Sequence, residues 1–154
     1  MRISKIVTTV ILGICLSVPL FAGNAESEAL VAAAKKDAKV ITPAKLKKMI
    51  DNEDDLWMLD VREPYMRMEG SIEGMDNVAI SRGVLEFDLG EKIPDKNAFI
   101  VVYCRAGKGA PMAAKMMKED MKYTNVYYLE GGIDKWLEEG YSIFNHFGEL
   151  KLAK

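Results

Sequence analysis

Short apolar runs of strand length alternate with helix-patterned stretches along most of this chain, and few architectures can bury such a pattern. Residues 56–61 read as the first strand, mostly apolar and therefore buried on both faces. Residues 77–80, 99–103 and 126–129 repeat the signal. Between them lie helical patterns. Thr42-Pro43 offers an N-cap followed by proline at the first helical position, and Leu46, Met49 and Ile50 then share one apolar face. Residues 84–89 and 110–121 read as two further helices, and Gly131-Gly132 introduces a last one running through Trp136 to Glu139. This order predicts an α/β fold with a parallel sheet covered on both sides. Ligands of such sheets gather at the carboxyl ends of the strands.

Cys104 stands at one of those ends. It closes the run Phe99-Ile100-Val101-Val102-Tyr103 and opens the turn Arg105-Ala106-Gly107-Lys108-Gly109-Ala110, where a helix begins. Backbone N–H groups of such a turn, with the positive end of the next helix, favour thiolate over thiol. Arg105 and Lys108 flank the sulfur and add to that preference while offering charge to an anion. Gly107 and Gly109 permit positive φ and close approach of main chain to substrate. Cys104 is thus the expected nucleophile, exposed at the turn, and Arg105, Ala106, Gly107, Lys108, Gly109 and Ala110 form the expected substrate cup. The competing reading is a buried, inert cysteine that packs as a small hydrophobe.

Residues 1–25 have the layout of a secretory signal: basic Arg2 and Lys5, an apolar stretch from Ile6 to Leu20, and a small-residue exit. Cleavage is expected near Ala22 or Ala25, giving a periplasmic or secreted protein that leaves the membrane; an uncleaved N-terminal anchor is the competing reading. Ile14, just before Cys15, is bulkier than a lipoprotein signal normally allows. Removing the leader leaves Cys104 as the one cysteine, so no internal disulfide supports the exported fold. At 154 residues the chain suits one domain. A helical lead-in arm is expected over 26–41, the domain over 42–146 and a short tail over 147–154. The net charge of −2, with interspersed signs, provides no basic footprint for nucleic acid. The methionines follow helical spacing and His146 is isolated, so neither a metal nor another cofactor is expected.

Three motifs carry a family resemblance. Leu59-Asp60-Val61-Arg62-Glu63, Tyr103-Cys104-Arg105-Ala106-Gly107-Lys108 and Leu129-Glu130-Gly131-Gly132-Ile133-Asp134-Lys135-Trp136 resemble the rhodanese family of sulfurtransferases in order and spacing. The resemblance implies a five-stranded parallel sheet flanked by helices on both faces. It also implies a cysteine that carries sulfur as a persulfide between a donor (thiosulfate, polysulfide or a protein persulfide) and an acceptor (an external thiol or cyanide). It suggests that Asp60 and Arg62 brace the active-site loop or line its rim, against the alternative of a surface ion pair. Two departures stand out. Gly109 occupies a loop position where the family often has arginine, and Ser71 a position where it usually has histidine. These departures keep open a non-catalytic module that binds an anion or a partner protein. A phosphatase or arsenate reductase is disfavoured, because such enzymes close a cysteine loop with an arginine that this loop lacks.

Overall fold

In the computed structural model, which describes residues 22–152, five short strands make one parallel sheet. The expected leader falls almost entirely outside the described residues. In chain order the elements are α1 (Ala22–Asp37), β1 (Lys39–Ile41), α2 (Pro43–Asp51), β2 (Trp57–Asp60), α3 (Pro64–Arg67) and β3 (Asp76–Ala79). A 3-10 turn (Arg82–Val84) then leads into α4 (Leu85–Lys92), β4 (Ile100–Tyr103), α5 (Gly109–Glu119), β5 (Val126–Leu129) and α6 (Gly132–Glu138), and β6 (Ile143–Asn145) and β7 (Gly148–Leu150) close the chain. The sheet order is β1-β5-β4-β2-β3, with every neighbouring pair parallel. β4 is therefore central.

Strand periodicity divides the core in two. Ile100, Val102 and Cys104 join one cluster with Leu59, Leu85, Leu89, Ala113 and Met117, so α4 and α5 cover that face. Val101 and Tyr103 join the other with Leu46, Met58, Ile133 and Trp136, beneath α2 and α6. All four residues of β4 are buried, which is why its sequence runs apolar without interruption. The N-cap at Thr42 forms as expected, its hydroxyl accepting the Lys45 N–H at 3.3 Å with Pro43 in the first turn. Trp136 packs as core and donates its indole N–H to the Ser142 carbonyl at 2.7 Å.

The lead-in is helical as expected through Asp37, and both ends add structure that the sequence reading did not place. The lead-in segment is a docked helix: α1 lies along α5, burying Val31 and Ala34, and Asp37 pairs with Lys115. The end of the expected arm is a sheet strand, since β1 pairs with β5 from Lys39↔Tyr127 to Ile41↔Leu129. Only Ile41 of its three residues is buried, so this edge strand lacks the apolar run of β4 and β5; β3, the other edge, has no buried residue and does not repeat the buried-strand signal expected at 77–80. At the far end, β6 and β7 form an antiparallel hairpin whose turn contains the expected boundary between 146 and 147. The 84–89 helix also shifts: residues 82–84 wind as a 3-10 turn and the α-helix runs on to Lys92.

Candidate active site

The central strand delivers Cys104 to the carboxyl edge of the sheet, and α5 begins five residues later. The sulfur accepts the main-chain N–H of Ala110 at 3.3 Å, from the first turn of that helix. An N–H aimed at sulfur from a helix start stabilises negative charge there. Cys104 is 9% exposed, so the exposed nucleophile expected from sequence is instead a mostly buried residue at a pocket wall. Its Cβ belongs to the core under α5, and this fixes the sulfur in place. The pocket, about 280 Å³, is also lined by Val61, Arg62, Glu63, Met66, Arg105, Ala106, Lys108 and Gly109.

A second loop holds the first. The carbonyls of Cys104 and Arg105 accept N–H groups from Ile133 at 2.9 Å and Asp134 at 3.1 Å. Gly131 and Gly132, at φ +71° and +66°, bring that second loop flush against the first. A Cβ on Gly132 would lie 2.2 Å from the Arg105 carbonyl oxygen and 2.5 Å from that of Cys104. Gly107, at φ +69°, faces the same contact from the other side, where a Cβ would meet Gly131 main chain at 2.9 Å. The sequence placed Gly131 and Gly132 as a helix entrance and within a family motif, without the contact to the cysteine loop. Two adjacent glycines at a strand exit were the available signal for a closely packed loop.

The expected cup is realised in part. Ala106 and Gly109 line the pocket, while Ala110 contributes its amide and buries its methyl in the core. Gly107 acts through the Gly131 contact and is absent from the pocket wall. Gly109 was expected to permit positive φ but does not use it: it is an ordinary first residue of α5, and a Cβ there would sit 3.8 Å from the Cys104 Cβ. Arg105 and Lys108 reach the pocket already engaged. Arg105 pairs with Glu69 at 3.3 Å and Asp134 at 3.6 Å, and Lys108 pairs with Glu28 of α1. The Lys108 ammonium holds the Glu28 carboxyl below its usual range.

Asp60 and Arg62 form a buried ion pair, each 3% exposed, which corrects the alternative of a surface pair. The guanidinium meets both carboxylate oxygens, at 2.9 Å from Nε and 2.6 Å from Nη2. Two further N–H donors go to the carbonyls of Gly70 at 2.7 Å and Met66 at 3.3 Å. One side chain thus fastens the α3 segment, which supplies Met66 and Glu63 to the pocket, onto the end of β2. Arg62 also lies 5.5 Å from the centre of the Tyr103 ring, whose hydroxyl accepts the Ile72 N–H at 3.3 Å. Burial first, then the Asp60 charge, raises the pKa of that hydroxyl. Ser71 lines a separate cavity of about 150 Å³ with Asp60, Ile72 and Tyr103. Among the described residues, no cluster of three or more His, Cys, Asp or Glu is placed to hold a metal ion.

Known proteins resemble this chain in sequence and fold. Residues 42–139 match the rhodanese-like domain. Over 68 residues the chain is 31% identical to the thiosulfate sulfurtransferase PspE of Escherichia coli (strain K12), covering 44% of this chain and 62% of that protein. The polysulfide-sulfur transferase homodimer of Wolinella succinogenes is 31% identical with a TM-score of 0.67, covering 86% of this chain and 92% of that one. A protein of unknown function from Rhodopseudomonas palustris CGA009, described as a possible tyrosine phosphatase, is 25% identical with a TM-score of 0.64, covering 76% and 92%. The chain spans 31% and 62% of the lengths of the curated relatives it matches.

Proposed function

Because the chain belongs to the rhodanese-like domain family, we propose that it is an exported single-domain sulfurtransferase that carries sulfane sulfur on Cys104. The observation that carries this reading is the Cys104 sulfur at a pocket wall, hydrogen-bonded at 3.3 Å to the Ala110 amide at the start of α5. In the first step the Cys104 thiolate attacks the outer sulfur of a donor such as thiosulfate. A new S–S bond forms, the donor's S–S bond breaks, and sulfite leaves with the electron pair. In the second step an acceptor nucleophile attacks the outer sulfur of the persulfide. Cyanide departs as thiocyanate, or a thiolate as a new persulfide, and the bonding pair returns to Cys104.

The local structure suits both steps. The Ala110 amide stabilises the charge that returns to sulfur in the second step. The Gly131-Gly132 loop keeps the Cys104 and Arg105 carbonyls occupied, so the active-site loop is fixed before a donor arrives. Cys15 and Cys104 are the chain's only cysteines, so after leader removal the acceptor has to come from outside the chain.

The leader-like segment at residues 1–25 supports export, with cleavage near Ala22 or Ala25. Intact mass of the protein recovered from the periplasm or medium tests this, and a full-length chain retained in the membrane would favour the anchor. A phosphatase reading has little support here. Arg62 is committed to Asp60 and two carbonyls, and the loop positions before the helix body hold Gly109 and Ala110. The enzymatic test is thiocyanate formation from a sulfane-sulfur donor and cyanide, with Cys104→Ala alongside. Turnover that vanishes in Cys104→Ala is expected. Turnover surviving that substitution, or Cys104-dependent hydrolysis of an aryl phosphate, would displace the proposal; a chain that binds anions without turnover would be the binding module.

A further inference from the structure

Every cation at the pocket is already matched by a carboxylate. Arg62 is held by Asp60, Arg105 by Glu69 and Asp134, and Lys108 by Glu28. Glu63 stands on the same wall with no cation paired to it among the described residues. Glu63 is the one carboxylate on the pocket wall itself, and Asp60, Glu69, Asp134 and Glu28 hold the three cations from outside it. The rest of the wall is apolar: Val61, Met66 and Ala106. Nearby in the chain, Tyr65 of α3 and Met68 just after it are 66% and 73% exposed.

To pair with a cation here, a small dianion would have to displace Glu69 and Asp134 from Arg105 or Glu28 from Lys108, beside the charge of Glu63, and would lose hydration in doing so. A donor with an apolar body and one charge would lay the body on Val61, Met66 and Ala106, and would meet less repulsion from Glu63. We infer that this pocket selects sulfane-sulfur donors that bear an apolar group and no more than one negative charge over small dianions such as thiosulfate. The inference rests on the proposed sulfur transfer through Cys104.

Benzenethiosulfonate is a suitable probe, since it offers the same outer sulfur as thiosulfate on an aryl group with one charge fewer. The Cys104 thiolate attacks that sulfur, the sulfur–sulfur bond breaks, and benzenesulfinate leaves with the electron pair. The experiment measures kcat/KM for both donors with cyanide as acceptor, at low and high salt, for the native protein, Glu63→Gln and Glu69→Gln. Because the donors differ in intrinsic reactivity, the readout is the change in their ratio. Screening should raise kcat/KM for thiosulfate by roughly two- to fivefold as salt increases. Each substitution should shift the ratio toward thiosulfate by a similar factor. A thiosulfate rate that falls with salt, or a ratio unmoved in both variants, would overturn the inference and leave the sulfurtransferase reading standing. No sulfur on Cys104 from either donor would refute both.

Discussion

Replacing Gly132 by alanine drives a methyl group into the main chain of the active-site loop. The new Cβ would lie 2.2 Å from the Arg105 carbonyl oxygen and 2.5 Å from that of Cys104, and no side-chain rotation relieves a contact with backbone. The residue also sits at φ +66°, where alanine costs about 1–2 kcal/mol. To accept the methyl the two loops must part, stretching the Ile133 N–H bond to Cys104 and the Asp134 N–H bond to Arg105, now 2.9 and 3.1 Å. Losing one or both adds about 0.5–1.5 kcal/mol each. The expected destabilisation is therefore about 1.5–5 kcal/mol, read from urea unfolding. Activity should fall further than stability explains, because a displacement of about 1 Å at a nucleophile can cost on the order of a hundredfold. Thiocyanate formation is measured well below the unfolding midpoint to isolate that part. Gly109→Ala is the comparison: its Cβ would meet Cys104 only at 3.8 and 3.9 Å, so its stability should stay within about 0.5 kcal/mol of the native protein. If Gly132→Ala matches the native protein in both stability and turnover, the two-loop account of the site is wrong.

Two further outcomes follow from buried groups. Asp60→Ala leaves the Arg62 guanidinium buried without its carboxylate and should cost about 3–5 kcal/mol in denaturant unfolding, far more than a surface pair; a loss below 1 kcal/mol would contradict the bracing role. Burial raises the Tyr103 pKa, so the folded protein keeps a neutral phenol at pH values where the unfolded chain ionises. The resulting stability is complete below about pH 10 and declines as pH rises further. Tyr103→Phe should flatten the alkaline limb of a stability–pH profile, and an unchanged slope would remove Tyr103 as its source.

Local pattern revealed the centre of this molecule well. The strand at 99–103, its cysteine and the helix beyond are adjacent in sequence, and the burial of β4 on both faces leaves an uninterrupted apolar run. The edges were harder to read for a physical reason. β1 exposes Lys39 and Val40, and all three residues of β7 are exposed, so neither strand carries an apolar signature. Among the residues of α1 whose burial is described, Val31 and Ala34 are the buried ones, a face that alanine-rich composition disguises. The charge balance of the site was also hidden, because its partners are far apart in the chain: Glu28 with Lys108, and Glu69 with Arg105. Asp60 and Arg62, two residues apart, were visible as a pair, but their burial depends on the Gly70 and Met66 carbonyls that the fold brings over them.

The most direct test of the account is intact-mass analysis of protein incubated with benzenethiosulfonate or thiosulfate, followed by peptide mapping. A gain of one sulfur atom, located on Cys104 and discharged by cyanide, is the predicted result. An unchanged mass with every donor, or sulfur retained by Cys104→Ala, would contradict it.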